Sequence, residues 1–251
     1  LEIKSGVEMQ EKNNLLVPLA VLSGAIVLSV LIFSFVWKSA RNADQTITVT
    51  GSAKKTIVSD LGIQRGTLQA ASSDRRTAYQ IVAQQMPVVL KYLADKGFTK
   101  EQIEVFGITG YPVFEVSSQG YQTQNVSHYV YSQRFEVRSN DVQKIKDLSL
   151  TLSSLVEKGL DVQVDMPEYL FTKIDDLKIE IQAEAAKNAM DRAGKIAEAT
   201  GRNLGSLRNA RMGVIQITPL NSNMVTDYGI NDVSSIDKEI TAVVSASFEI
   251  D

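Results

Sequence analysis

The chain has 251 residues, a formal net charge of −3 and no cysteine. Without thiols there are no disulfides, no thiol catalysis and no thiolate metal sites. The slightly acidic balance, with no large basic block, argues against nucleic acid as the main partner.

From Asn13 to Trp37 no residue is charged, and Leu15–Val36 is almost wholly apolar. At 1.5 Å per residue a helix over Leu15–Trp37 spans about 34 Å, enough to cross a hydrocarbon core about 30 Å thick. Pro18 falls in its first turn, where the missing N–H costs little. Phe33, Phe35 and Trp37, followed by Lys38 and Arg41, resemble an interfacial anchor. A cleaved signal peptide is the competing reading. The apolar run is longer than a usual signal core, and Lys38-Ser39-Ala40 is a poor cleavage match. Met9 reads as a native start, with Leu1–Glu8 an upstream extension. Lys4 and Lys12 balance Lys38 and Arg41, so charge leaves orientation open. The expected organisation is a tail over 1–14, a transmembrane helix over 15–37, a linker over 38–45 and one domain over 46–251.

Within that domain Ile47–Thr50 reads as a short strand and Val58–Ala71 as a long one. The apolar set shifts from Leu61 and Ile63 to Leu68 and Ala70, which predicts a bulge near Arg65-Gly66. Ser73 is placed to cap a helix running to Lys96, with Ala78, Ile81, Val82, Val89, Tyr92 and Leu93 on one face. Pro87 is expected to kink it and Gly97 to end it. Strands follow over Glu101–Val116 and His128–Val137, joined by the polar stretch Ser117–Ser127. Tyr129, Tyr131, Phe135 and Val137 share one face of the second strand.

Asn140 with Gln143 reads as a capping box for a helix whose stripe is Val142, Ile145, Leu148, Leu152, Leu155 and Val156, stopped by Gly159. Val162–Ile174 reads extended, interrupted by Pro167. A long helix over Asp175–Thr200 closes at Gly201, with Asp175 and Asp176 suiting its positive end. Leu204–Thr218 is expected as a strand, Pro219–Asp237 as a polar loop, and Glu239–Ile250 as a strand with Ile240, Ala242, Val244, Ala246, Phe248 and Ile250 on one face. The order suggests an α+β fold, with helices on antiparallel or mixed sheet, preceded by the one apolar helix.

The search for chemistry gives little. His128 is the only histidine, so neither a usual catalytic zinc site nor a Ser-His-Asp triad assembles without it. There is no G-x-S-x-G elbow, Walker loop or dinucleotide fingerprint. Asp175, Asp176, Glu180 and Glu184 recur down one helix, where Lys178 and Lys187 make a solvated face the simpler account. Arg75-Arg76 reads as exposed charge. Asn125-Val126-Ser127 matches a glycosylation sequon, a tripeptide common by chance. No catalytic, cofactor-binding or metal-binding residue is assigned, and the protein is expected not to be an enzyme. Open strand edges make self-assembly a reasonable expectation.

Several stretches together resemble the SIMPL family. They include Ile47-Thr48-Val49-Thr50-Gly51-Ser52-Ala53, the turn Asp95-Lys96-Gly97-Phe98 leading to Glu101-Gln102-Ile103, and Tyr111-Pro112. Tyr129 to Val137, Glu184 to Ala193 and the closing strand Val243–Ile250 are also similar to the family. Its bacterial members include periplasmic immunogenic and oxidative-stress defence proteins. The resemblance implies an α+β fold, export across the inner membrane, and ring- or channel-like homo-oligomers in some members. It implies no catalytic residue. The retained-looking anchor and Pro87 depart from the family pattern. Three functions compete: a membrane-tethered assembly or scaffold of the envelope, held in the bilayer through Leu15 to Trp37 with its domain in the periplasm and serving stress tolerance or surface organisation; a ligand- or partner-binding module using Ser117–Ser127 and Pro219–Asp237; and an unrecognised enzyme.

Overall fold

The structure, a computed structural model, describes residues 18–37 and 45–250. It contains α1 (Pro18–Trp37), then β1 (Thr46–Val58), β2 (Leu61–Ser72), α2 (Arg75–Asp95), β3 (Ile103–Val116) and β4 (Gln122–Ser139). These are followed by α3 (Val142–Thr151), β5 (Asp161–Val164), β6 (Glu168–Leu170), α4 (Ile174–Ala199), β7 (Leu204–Met212), β8 (Gln216–Pro219) and β9 (Asp237–Ile250). The predicted α+β class is observed: the described residues form four helices with two antiparallel sheets. Leu15–Val17, Met9, Lys38 and Arg41 lie outside the described residues.

The described residues fall into two compact units, one within 1–52, 184–213 and 243–251, the other within 53–183 and 214–242. In the second unit one sheet runs in the order β3-β4-β2-β5, with β6 also pairing β2. Helices α2 and α3 cover one of its faces. Val82, Val89 and Leu93 of α2 and Ile145 and Leu148 of α3 meet Leu68, Phe135 and Val137 of the strands. Each such side chain, removed from water, contributes roughly 1.5–3 kcal/mol.

Where the observed elements differ from expectation, small or polar residues sit at core-facing positions. β1 runs well beyond Thr50, to Val58; its next inward positions after Val49 are Gly51 and Ala53, which carry no hydrophobic signal, although Ile57 is buried further on. β2 starts only at Leu61, and it has no bulge. Its register with β4 is continuous from Gly62 opposite Ser139 to Ser72 opposite Tyr129. The apolar set shifts in sequence because Gly62, Gln64 and Gly66 occupy the core face. A Cβ on Gly62 would sit 2.9 Å from Ile145 Cβ, and one on Gly66 2.5 Å from the Phe135 ring. Gln64 is fully buried, its amide donating to the carbonyls of Arg65 and Asp165 at 2.8 and 2.7 Å.

Both predicted caps move by one residue. Asp74 rather than Ser73 accepts from Thr77 N–H at α2. Asp141 rather than Asn140 accepts from Lys144 N–H at α3. Asn140 instead donates to the Asp60 carbonyl at 2.9 Å. Asp satisfies the orphan N–H as well as Ser or Asn does and adds charge at the positive helix end. α2 passes through Pro87 as a helix. Leu152 and Leu155 are fully buried as expected, in a 3-10 continuation of α3, but Val156 is 55 % exposed. Gly97, Gly159 and Gly201 follow their helices with positive φ.

The polar stretch Ser117–Ser127 is mostly strand: the turn is short, and β4 begins at Gln122. Leu204–Thr218 is two strands, β7 pairing the C-terminal half of β9 and β8 its beginning. In the first unit β1, β9 and β7 form the sheet beside α4. The stripe Ala185, Ala189, Ala193 and Ala197 is buried at four-residue spacing. It lets the backbones meet: a Cβ on Gly51 would lie 2.3 Å from both Ala185 O and Ala189 N.

Candidate functional site

Three features carry functional information. The first is α1. All of its residues are exposed, and it is apolar enough, with a mean hydropathy of 2.6, to cross a membrane or to act as a signal sequence. The Phe33 and Trp37 rings pack 5.7 Å apart near its end.

The second is the β3–β4 hairpin. β2 pairs β4 only from Tyr129 onward, whereas β3 pairs β4 as far as Gln122. Beyond β2 the pair therefore continues as a two-stranded ribbon, closed by the turn in which Ser117 N–H donates to Tyr121 O. Val116 and Tyr121 are exposed at its end, at 68 % and 73 %. Each strand there is solvated on both faces, which removes the alternation that would have revealed a strand.

The third is a cleft of about 470 Å³ in the second unit, lined by Phe171, Ile174, Ile217, Tyr228, Ile230 and Lys238, among others. The loop Pro219–Asp237 builds one wall and is tightly fastened. Ile217 N–H donates to Ile230 O and Asp232 N–H returns to Ile217 O; Tyr169 N–H donates to Val233 O. At the base lies Lys238, its side chain 2 % exposed. Its ammonium donates to the carbonyls of Tyr169, at 2.6 Å, and Asp232, and approaches the Asp232 carboxylate at 4.0 Å. Burial pulls the Lys238 pKa down, and the Asp232 charge opposes this only in part. For Asp232 burial acts upward. The hydrogen bonds from Ser234 and Ser235 and the Lys238 charge outweigh it and hold the carboxyl below its ordinary value. Both charges are engaged within the loop, so the cleft offers a mainly apolar wall.

Lys238 was missed in the sequence because it immediately precedes the predicted strand. Its even number places it on the same face as Ile240 and Ala242, and that parity was the available signal.

The residues singled out earlier are not brought together. Glu180 pairs with Lys55 at 2.6 Å and Asp175 with Lys178 at 3.3 Å. Among the described residues no cluster of three or more His, Asp or Glu could hold a metal ion. His128 Nδ1 lies 3.2 Å from Ser127 Oγ, opposite Val113. Arg75 and Arg76 are exposed as expected, and Arg75 donates to the Tyr131 hydroxyl at 2.7 Å. Asn125 of the sequon lies within β4.

An ion-pair ladder crosses β2, β4 and β6 on the face away from α2 and α3. Glu136 accepts from Arg65 at 2.6 Å and Arg138 at 2.5 Å, and Arg65 reaches Glu168 at 2.6 Å. Burial acts to raise the Glu136 carboxyl, but the two guanidinium groups hold it below its ordinary value. The arrangement resolves the like-charge pair Glu104 and Glu136, which sit directly opposite each other on β3 and β4.

An apolar N-terminal helix and a domain of two antiparallel sheets with helices laid on them define a class of α+β protein. Residues 47–248 match the family model described as SIMPL, protein of unknown function (DUF541). The chain belongs to the SIMPL family. No curated protein matches it.

Proposed function

We propose that this is a non-enzymatic, membrane-anchored protein of the bacterial envelope whose SIMPL domain self-associates into a ring- or channel-like homo-oligomer in the periplasm, serving stress tolerance. The observation that carries this reading is the ribbon beyond β2. A lone two-stranded hairpin is marginally stable in water, and this one exposes Val116 and Tyr121. A second copy supplies the missing cover. Helix α1 supports the anchor, since an apolar helix with every residue exposed needs either a bilayer or removal.

Two measurements test it. Membranes washed with alkaline carbonate retain the uncleaved chain if α1 is an anchor; a soluble, shortened product contradicts the anchor. Light scattering of the detergent-solubilised protein should give a discrete multiple of the 27.6 kDa protomer.

The cleft at Tyr228 and Lys238 favours a second reading, a monomeric or small-oligomer periplasmic module that binds a small ligand with a large apolar part. A monomer that shows saturable ligand binding in calorimetry supports that reading over assembly.

A further inference from the structure

A groove of about 420 Å³ runs between the C-terminal half of α2 and the start of β3. Its floor is apolar: Leu90 and Ala94 from α2, the buried Phe98 from the following turn, and Ile103 and Val105 from β3. Lys91 and Lys100 stand on its rim, and among the described residues neither takes part in an ion pair. One wall is a strand whose hydrogen-bonding edge is open, because among the described residues β3 ends its sheet and pairs only β4. Ile103 N–H is already taken by the Lys100 carbonyl, the other outward-facing backbone groups of Ile103–Val105 stay unladdered, and the regular ladder resumes at Ile108 after a bulge.

An open strand edge beside an apolar groove under a helix is the geometry of strand addition. Main-chain bonds hold an extended segment while alternate side chains drop into the groove. We propose that this groove receives an extended peptide of a partner protein, with an apolar side chain in the groove and acidic residues against Lys91 and Lys100. The charge pattern selects this occupant. Glu104 projects to the opposite sheet face, where Arg138 reaches it at 3.6 Å, and Glu101, beside Lys100, offsets part of the rim charge without forming an ion pair. The inference is independent of the assembly proposed above.

The test uses the full chain in detergent and fluorescence anisotropy of a labelled octapeptide alternating valine and threonine and ending in two glutamates. A twin ends in two lysines, and two further versions are N-methylated at every second backbone position, one in each phase. The acidic probe should bind at least about fivefold tighter than the lysine twin, and one methylated phase should lose binding. Ala94→Trp, at an exposed position, should fill the groove and abolish binding without changing the melting temperature. The K91E/K100E double substitution should invert the preference between the two probes. Three outcomes overturn the proposal: no binding of the acidic probe, equal binding of both methylated phases, or binding indifferent to Ala94→Trp. A fourth also does so: Ala94→Trp dispersing the protein's own oligomer while no probe binds, which assigns the edge to a second copy.

Discussion

Lys238 joins β9 to the loop residue Asp232 just before it and to the strand residue Tyr169, distant in sequence. Lys238→Met removes the donor and leaves two buried carbonyls unpaired, at a cost of about 2–4 kcal/mol; urea unfolding measures it. The pH dependence has a definite sign. The folded-state pKa lies below the ordinary 10.5, so the unfolded chain binds more protons and stability rises as pH climbs toward that value. Lys238→Met should lose this alkaline rise. Glu136 and Asp232 act at the other end. Both are depressed on folding, so their contribution is complete above the ordinary values of 4.5 and 3.8 and is lost as pH falls through the folded values. Melting temperatures of Glu136→Gln, followed from neutral to acid pH, should fall less steeply than those of the unaltered chain.

At the scale of elements, periodicity revealed what hydrophobic residues mark and concealed what glycine, alanine and glutamine mark. The stripe of α3 and the alternation of β9 were legible because Ile145, Leu148 and Leu152, or Ile240, Val244 and Phe248, repeat at the right intervals. β1 and β2 were misjudged where Gly51, Gly62, Gln64 and Gly66 face inward, since close approach of a helix or a ring calls for the absence of a side chain. Gly51→Ala must displace α4, because the clash is with backbone that cannot rotate away. We expect a loss of about 3 kcal/mol or more, as overpacking at the top of its usual range, readable as a drop in melting temperature. Leu152→Asp places a charge where the side chain is fully buried. It should leave no cooperative thermal transition, the cost exceeding about 4 kcal/mol.

For the whole molecule, the apolar segment was the plainest signal in the sequence, and the family resemblance resolved the class of domain behind it. The functional surfaces were harder to read. The ribbon lacks alternation because water lies on both of its faces, and the cleft brings Phe171, Tyr228 and Lys238 together only through folding. The measurement that bears most directly on assembly is native mass spectrometry of the detergent-released protein beside its Val116→Lys/Tyr121→Lys variant. Both positions are exposed, so the variant should keep the melting temperature of the unaltered protomer. The account predicts one discrete high-order oligomer for the unaltered chain and a 27.6 kDa protomer for the variant. A monomeric unaltered chain, or a variant that assembles equally well, would contradict it.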